Sequence, residues 1–188
     1  SRVSRGLGDV YKRQVVASII MSIEEGINIE DISEALLTCK TVERRFEVIS
    51  NNIFNKGITL VDDYGHHPEE IKVTLETIDK VWKDNKKVVI FQPHRYSRTK
   101  ALFKEFVEIL SEIDDLILLD VYPASENIIK GFESDDLLKA ANKKNNIIKA
   151  NGVEDALLKL KELLNDHSLI LTQGAGNTSA LAKLISEH

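Results

Sequence analysis

Short apolar runs alternate with longer amphipathic stretches along most of this chain. The runs ITLV at 58–61, VVIF at 88–91, LILL at 116–119 and LIL at 169–171 are too short to be buried helices and are bounded by polar or glycine-containing segments, so they read as strands. Between them, apolar residues recur at helical spacing. The pattern predicts strands at 58–63, 87–92, 115–121, 146–149 and 168–172, and helices at 68–83, 98–112, 134–144, 153–164 and 177–187. Pro68 suits the first turn of its helix and Glu69 and Glu70 favour that helix dipole, while Ser134 caps another helix. Strands of four to seven residues alternating with helices of ten to sixteen form βαβ units. The expected fold is therefore α/β, a Rossmann-like and mostly parallel sheet with helices on both faces and right-handed crossovers. A further strand at 46–53 is expected to pair with 58–63 across the turn Asn55-Lys56-Gly57, as an antiparallel edge.

The start of the chain follows a different pattern. Apolar residues at 15, 16, 19, 20 and 23 mark a helix over 15–25 that Gly26 stops, and Asn28 or Asp31 can cap a second helix over 32–39. This helical hairpin has no sheet of its own and reads as the tail of a preceding domain. Residues 41–46, TVERRF, read as a hinge. Residues 1–14 show little periodicity, and Arg2, Arg5, Lys12 and Arg13 face only one acid, Asp9. They read as a foreign or disordered segment, the alternative being a frayed basic arm. The organisation expected is thus 1–14 extraneous, 15–41 a domain remnant, and 42–188 one α/β domain.

Composition narrows the function classes. Hydrophobic residues make up 43% and charged residues 29%, with a net charge of -5 and lysines scattered among acids, which argues against a nucleic-acid partner. No apolar run approaches the ~20 residues of a membrane span. The lone cysteine, Cys39, excludes an internal disulfide and a cysteine-rich metal site, and a reducing, cytoplasmic location is the simplest fit.

Chemistry concentrates where two strands end. Asp62, Asp63, Tyr64, His66 and His67 follow the first strand, and His94, Arg95, Tyr96 and Arg98 follow the strand at 87–92. In parallel α/β sheets ligands bind beyond the carboxyl ends of the strands, so these two loops are expected to be adjacent and to form one site. Two arginines three residues apart at a helix N-terminus oppose the helix dipole unless an anion is bound, and the guanidinium fork suits a carboxylate or phosphate. The alternative is pairing with Asp62, Asp63 or Glu69. Metal coordination by His66 and His67 lacks a third ligand at known spacing. Arg44-Arg45 could reach a nucleotide or solvate a linker. The segment Gln173-Gly174-Ala175-Gly176-Asn177 lacks the lysine of a P-loop, so its glycines are read as packing a helix closely on the sheet.

Taken in order, VERRFE, VDDYGHHP, FQPHRYSRT, LDVYPASE and LTQGAGN resemble the C-terminal part of the Mur ligases, over all but residues 1–14, and among these the branch acting on L-alanine. The resemblance implies an ATP-dependent, amide-forming ligase of peptidoglycan precursor synthesis. Such an enzyme phosphorylates the carboxylate of UDP-N-acetylmuramate, and the amine of L-alanine attacks the acyl phosphate. It implies ATP contacts from Arg45 and, at the ribose or in fixing the closed state, Asp63. It places Tyr64, His66, His94, Arg95 and Arg98 around the amino acid and acyl acceptor. No GxxxxGK[ST] occurs, so the ATP phosphate loop and most Mg2+ ligands would lie in N-terminal and central domains absent from this sequence, and the chain alone would be inactive. Rival readings are a ligase for another amino acid or peptide, a free-standing nucleotide-binding module, and a non-catalytic interaction domain.

Overall fold

The structure, a computed structural model, describes residues 9–38, 43–141 and 146–188, with the backbone alone for 9–14. Six strands form one sheet: β1 (Glu47–Ile53), β2 (Ile58–Asp63), β3 (Lys87–Phe91), β4 (Asp115–Leu119), β5 (Asn146–Ala150) and β6 (Leu169–Gln173), in the order β1-β2-β6-β3-β4-β5. All neighbours are parallel except β1, which pairs antiparallel with β2 at one edge. The fold class is as expected, edge strand included.

Buried apolar side chains divide into two cores, one on each side of the sheet. Val61, Val89, Phe91, Leu116, Leu118, Leu169 and Leu171 pack with α3 (Pro68–Val81), α5 (Phe103–Leu110) and α6 (Ser134–Ala141). Ile58, Leu60, Val88, Ile90, Ile117, Leu119 and Ile170 pack with α7 (Val153–Leu163) and α8 (Thr178–Ser186). Because both faces are covered, the central strands are apolar at successive positions rather than at alternate ones. That double burial is what made them legible as unbroken runs.

Two adjacent strands, β3 and β6, send their following chains to opposite faces of the sheet. This is the topological switch point, where a crevice opens beyond the carboxyl ends of the strands.

The helices differ in detail. The expected helix over 98–112 is two: α4 (Tyr96–Ala101) and α5, separated by Leu102 at φ -117, ψ 27. The break lets the consecutive Leu102 and Phe103 both reach the first core. The first helix, α1 (Asp9–Glu24), begins six residues before the expected start, so part of the segment read as extraneous is helical; residues 1–8 lie outside the described residues. The second, α2 (Ile29–Thr38), starts three residues early because Asn28 is the cap, its side-chain oxygen accepting from the Asp31 N–H at 2.8 Å. Residues 39–42, including Cys39 and part of the hinge, and 142–145, where the helix over 134–144 was expected to end, are likewise outside the described residues.

Candidate active site

The loop after β2 is held by the start of α3. His67 is the N-cap, its ring nitrogen accepting from the Glu69 N–H at 3.3 Å. Glu70 reaches back so that its Oε2 accepts from the N–H groups of both His66 (2.9 Å) and His67 (3.1 Å). Burial alone would raise the Glu70 carboxyl, but those two hydrogen bonds and the charges of His66 and Arg45 outweigh it and hold it below the usual range. A lowered carboxyl contributes stability that is present above the unfolded value and lost as pH falls through the folded one. Acidification through the carboxylate range should therefore loosen this loop, and Glu70→Gln should flatten that part of the acid unfolding curve. Urea midpoints measured from pH 7 down to pH 3 check this.

The loop after β3 is bound to the loop after β4. Tyr122 N–H donates to the Pro93 carbonyl and Arg95 N–H to the Tyr122 carbonyl, both at 2.8 Å. Arg95 itself sits at φ 74. Its guanidinium lies 3.6 Å from Glu126 and is half exposed, while Glu126 also accepts from the N–H (2.9 Å) and hydroxyl (2.6 Å) of Ser97. The alternative, pairing with Asp62, Asp63 or Glu69, does not occur among the described residues. Asp62 and Asp63 end β2 and Glu69 begins α3, while Glu126 lies within reach of Arg95. Arg98 turns to His94, donating to its carbonyl at 3.2 Å and approaching its Nδ1 at 3.4 Å, with no carboxylate partner among the described residues. Tyr96 is buried beneath, so it builds the loop rather than lining the site.

The two loops were expected to be adjacent, and they are, although β6 lies between β2 and β3. They meet by reaching over the end of β6. Tyr64, His66, His94 and Tyr122 form a continuous series of ring contacts, with centroids 5.3, 5.5 and 5.3 Å apart and the last pair stacked nearly parallel at 8°. Arg44 and Arg45 both lie 5.3 Å from the Tyr64 centroid. Tyr64, His66, His94, Arg95 and Arg98 are thus brought to one surface.

Arg44 and Asp62 are committed to the interior. Arg44 Nε donates to Asp62 at 2.8 Å, and its Nη2 to the Gly174 carbonyl (2.6 Å) and Thr178 hydroxyl (2.9 Å). Asp62 accepts in addition from Thr172 at 2.6 Å. Arg45 is left half exposed, with Glu70 at 3.9 Å. Asp63 also faces inward: it accepts from Phe46 N–H (2.9 Å), Gly65 N–H (2.7 Å) and Gln173 Nε2 (3.2 Å). Burial pushes its carboxyl above the usual value against the pull of those backbone bonds. It ties the segment before β1 to the histidine loop, so fixing this arrangement suits it better than holding a ribose. Gln173 Oε1 is buried without a hydrogen-bond partner among the described residues. A Cβ at Gly174 would lie 2.8 Å from the Gln92 carbonyl oxygen, and one at Gly176 would strike the Gln92 side chain, so these glycines let the loop after β6 lie against the residue that follows β3, where close packing of a helix on the sheet was expected.

Sequence reasoning missed the roles of Tyr122, Glu126, Gln92 and Thr172. The first two stand in LDVYPASE and carried a signal, an aromatic ring and an acid just past a strand end. Gln92, Tyr122, Asp120 and Asn177 line a cleft of about 310 Å³ at the switch point. Among the described residues no group of three metal-ligating side chains occurs, and no helix is long and apolar enough to cross a membrane.

Residues 44–176 match the Mur ligase, glutamate ligase domain. The chain is 44% identical over 173 residues to the UDP-N-acetylmuramate--L-alanine ligase of Hydrogenovibrio crunogenus, and 38% identical over 175 residues to that of Francisella tularensis; the alignments cover 89% and 93% of this chain. It spans only 37% and 38% of those relatives' lengths. Among solved structures it is similar to the UDP-N-acetylmuramate-alanine ligase MurC of Thermotoga maritima (TM-score 0.63, 26% identity, 96% of this chain and 37% of that one). It also shares its fold with MurF of Acinetobacter baumannii (TM-score 0.71, 14% identity, 96% of this chain and 38% of that one). With the family's glutamate ligase domain matched from the hinge to the glycine loop after β6, this chain belongs to the Mur ligase family.

Proposed function

We propose that this chain is the C-terminal portion of an ATP-dependent ligase that joins L-alanine to UDP-N-acetylmuramate in peptidoglycan precursor synthesis, in the cytoplasm. In this reading 42–188 is the C-terminal domain and 15–41 the end of the central ATP-binding domain. The observation that carries it is the convergence of His66, His94, Arg95 and Arg98 over the end of β6 in a chain 44% identical, over 89% of its length, to a ligase of that name.

The residues fit the parts of the reaction this domain would serve. Arg45, half exposed beside the Tyr64 ring, offers a cation and an aromatic edge to a nucleotide. Asp63 and Arg44 hold the hinge against the sheet so that Arg45 points outward. Arg98, which has no carboxylate partner among the described residues, offers its guanidinium to the carboxylate of the amino acid, and Tyr64 and the two histidines wall the space beside it. Catalysis here is positioning and charge stabilisation of bound reactants. ATP supplies the activating phosphoryl group. Its Mg2+ would be held mainly by the N-terminal and central domains, since the described residues offer no ligand cluster.

The test joins residues 42–188 to the N-terminal and central domains of the Hydrogenovibrio ligase and follows phosphate release. Release that needs ATP, UDP-N-acetylmuramate and L-alanine together supports the proposal. Release that prefers another amino acid or a peptide assigns the chain to a different ligase of the family. The 188-residue chain alone is expected to release none.

A further inference from the structure

Two histidines meet over the end of β6, and their hydrogen bonds give them opposite polarity. His66 Nδ1 lies 3.1 Å from the Tyr64 carbonyl oxygen. A carbonyl only accepts, so Nδ1 carries the hydrogen, and in the neutral ring Nε2 is an acceptor. It has no hydrogen-bond partner among the described residues. His94 is the reverse: its Nδ1 faces Arg98 Nη1 at 3.4 Å, a guanidinium only donates, and the neutral ring therefore keeps its hydrogen on Nε2. Burial, then the charges of His66, Arg98 and Arg95, hold His94 below the usual imidazole range, with Glu126 opposing.

An amino acid bound through its carboxylate at Arg98 carries its ammonium one carbon away. Arg98 touches His94, and the His94 ring centroid is 5.5 Å from that of His66, so the ammonium faces this pair. An ammonium has no lone pair and cannot attack an acyl phosphate. We infer that His66 is the proton acceptor that frees the incoming amine, with Nε2 as the receiving atom, and that His94 is not. The inference rests on the ligase reading above.

His66 Nε2 takes one proton from the ammonium. The freed lone pair forms the C–N bond to the acyl carbon, and the C–O bond to the phosphate then breaks, with phosphate leaving on the bonding electron pair. The second surplus N–H proton departs with the phosphate. The charged and titratable groups that face His66 come from three directions: Glu70 on α3, whose carboxylate accepts from the His66 N–H; Arg45 beside Glu70; and His94, Arg98 and the Arg95–Glu126 pair across the site. Glu70 is a positioning residue here, because it fixes the backbone from which His66 projects.

Two measurements test this. Two-bond proton–nitrogen correlation spectra of the 188-residue chain should show the hydrogen of neutral His66 on Nδ1 and that of His94 on Nε2; the opposite assignment for His66 overturns the inference. In the completed ligase described above, His66→Gln can still hydrogen-bond but cannot take a proton. It should lower kcat with L-alanine about 100-fold at neutral pH, a typical contribution of a positioned base, with little change in KM. The defect should narrow as pH rises and more alanine is already neutral. With hydroxylamine as acceptor, whose amine is neutral at that pH, the variant should form hydroxamate at the parent rate. Equal loss with both nucleophiles, or a change confined to KM, makes His66 a binding residue and overturns the inference. A parent enzyme that binds ATP yet makes neither the alanine product nor hydroxamate overturns the ligase reading, and this inference with it.

Discussion

Arg44→Ala is expected to lower the unfolding free energy of this chain by about 3 kcal/mol, measured by urea denaturation at pH 7. The size comes from what the substitution leaves behind. Asp62 is 2% exposed, and its charge is met by Arg44 at 2.8 Å and the Thr172 hydroxyl at 2.6 Å. Without the guanidinium, a buried carboxylate keeps one neutral donor, and the Gly174 carbonyl loses one of its two side-chain donors, keeping the Thr178 hydroxyl. Breaking one side of a buried pair is costly because the remaining charge is uncompensated, whereas removing both sides often is not. Arg44→Ala combined with Asp62→Asn should therefore lose much less than the sum of the single changes. Thr172→Val, which removes the hydroxyl that donates to Asp62 and lies 3.4 Å from the Val61 carbonyl, should cost about 1 kcal/mol. Arg44 also sits at φ 60, which is strained for any side chain, so Arg44→Gly should be less damaging than Arg44→Ala by about 1 kcal/mol. A loss below 1 kcal/mol for Arg44→Ala would mean that Asp62 does not depend on this pair.

Arg44 also marks where the sequence stops being legible. Its neighbour Arg45 is identical in type and one position away, yet one side chain is bound inside and the other lies half exposed over a ring. Arg44 finds Asp62, Gly174 and Thr178, 18 to 134 positions along the chain. No local pattern encodes such distant partners. The same holds for Arg95, whose acid proved to be Glu126 from the loop after β4 rather than Asp62, Asp63 or Glu69.

What was legible depended on burial that repeats along the chain. The central strands lie between two layers of helices, so every position in them must be apolar or paired, and the runs stood out. The edge strand was legible from its turn. Helix ends were less so: the break at Leu102 follows from two consecutive residues packing into one core, and nothing in their identity announces it. The site was readable as a list of residues because unusual chemistry gathers at strand ends. Its wiring was not readable, because two of its loops belong to strands that a third strand separates.

That wiring divides the two arginines of the site and makes their substitutions unequal. Arg98→Ala is expected to raise the KM for L-alanine about 50-fold in the completed ligase with kcat little changed, since a hydrogen bond between charged groups contributes about 1.5–3 kcal/mol and each 1.4 kcal/mol is tenfold. Arg98 has no carboxylate of its own among the described residues, so its charge is available to the carboxylate of the substrate. Arg95 is half exposed and already shared with Glu126, so water and that acid screen it, and Arg95→Ala should raise KM only about fivefold. Arg98→Lys should fall between, keeping the charge but losing the fork. Initial rates of phosphate release against alanine concentration decide among these. The opposite ranking would move the carboxylate to the Arg95–Glu126 side of the site, where the Ser97 N–H and hydroxyl that now hold Glu126 would compete for it. If neither substitution changes KM, the guanidinium groups serve the fold of the loop, and the amino acid must be recognised elsewhere along the end of the sheet.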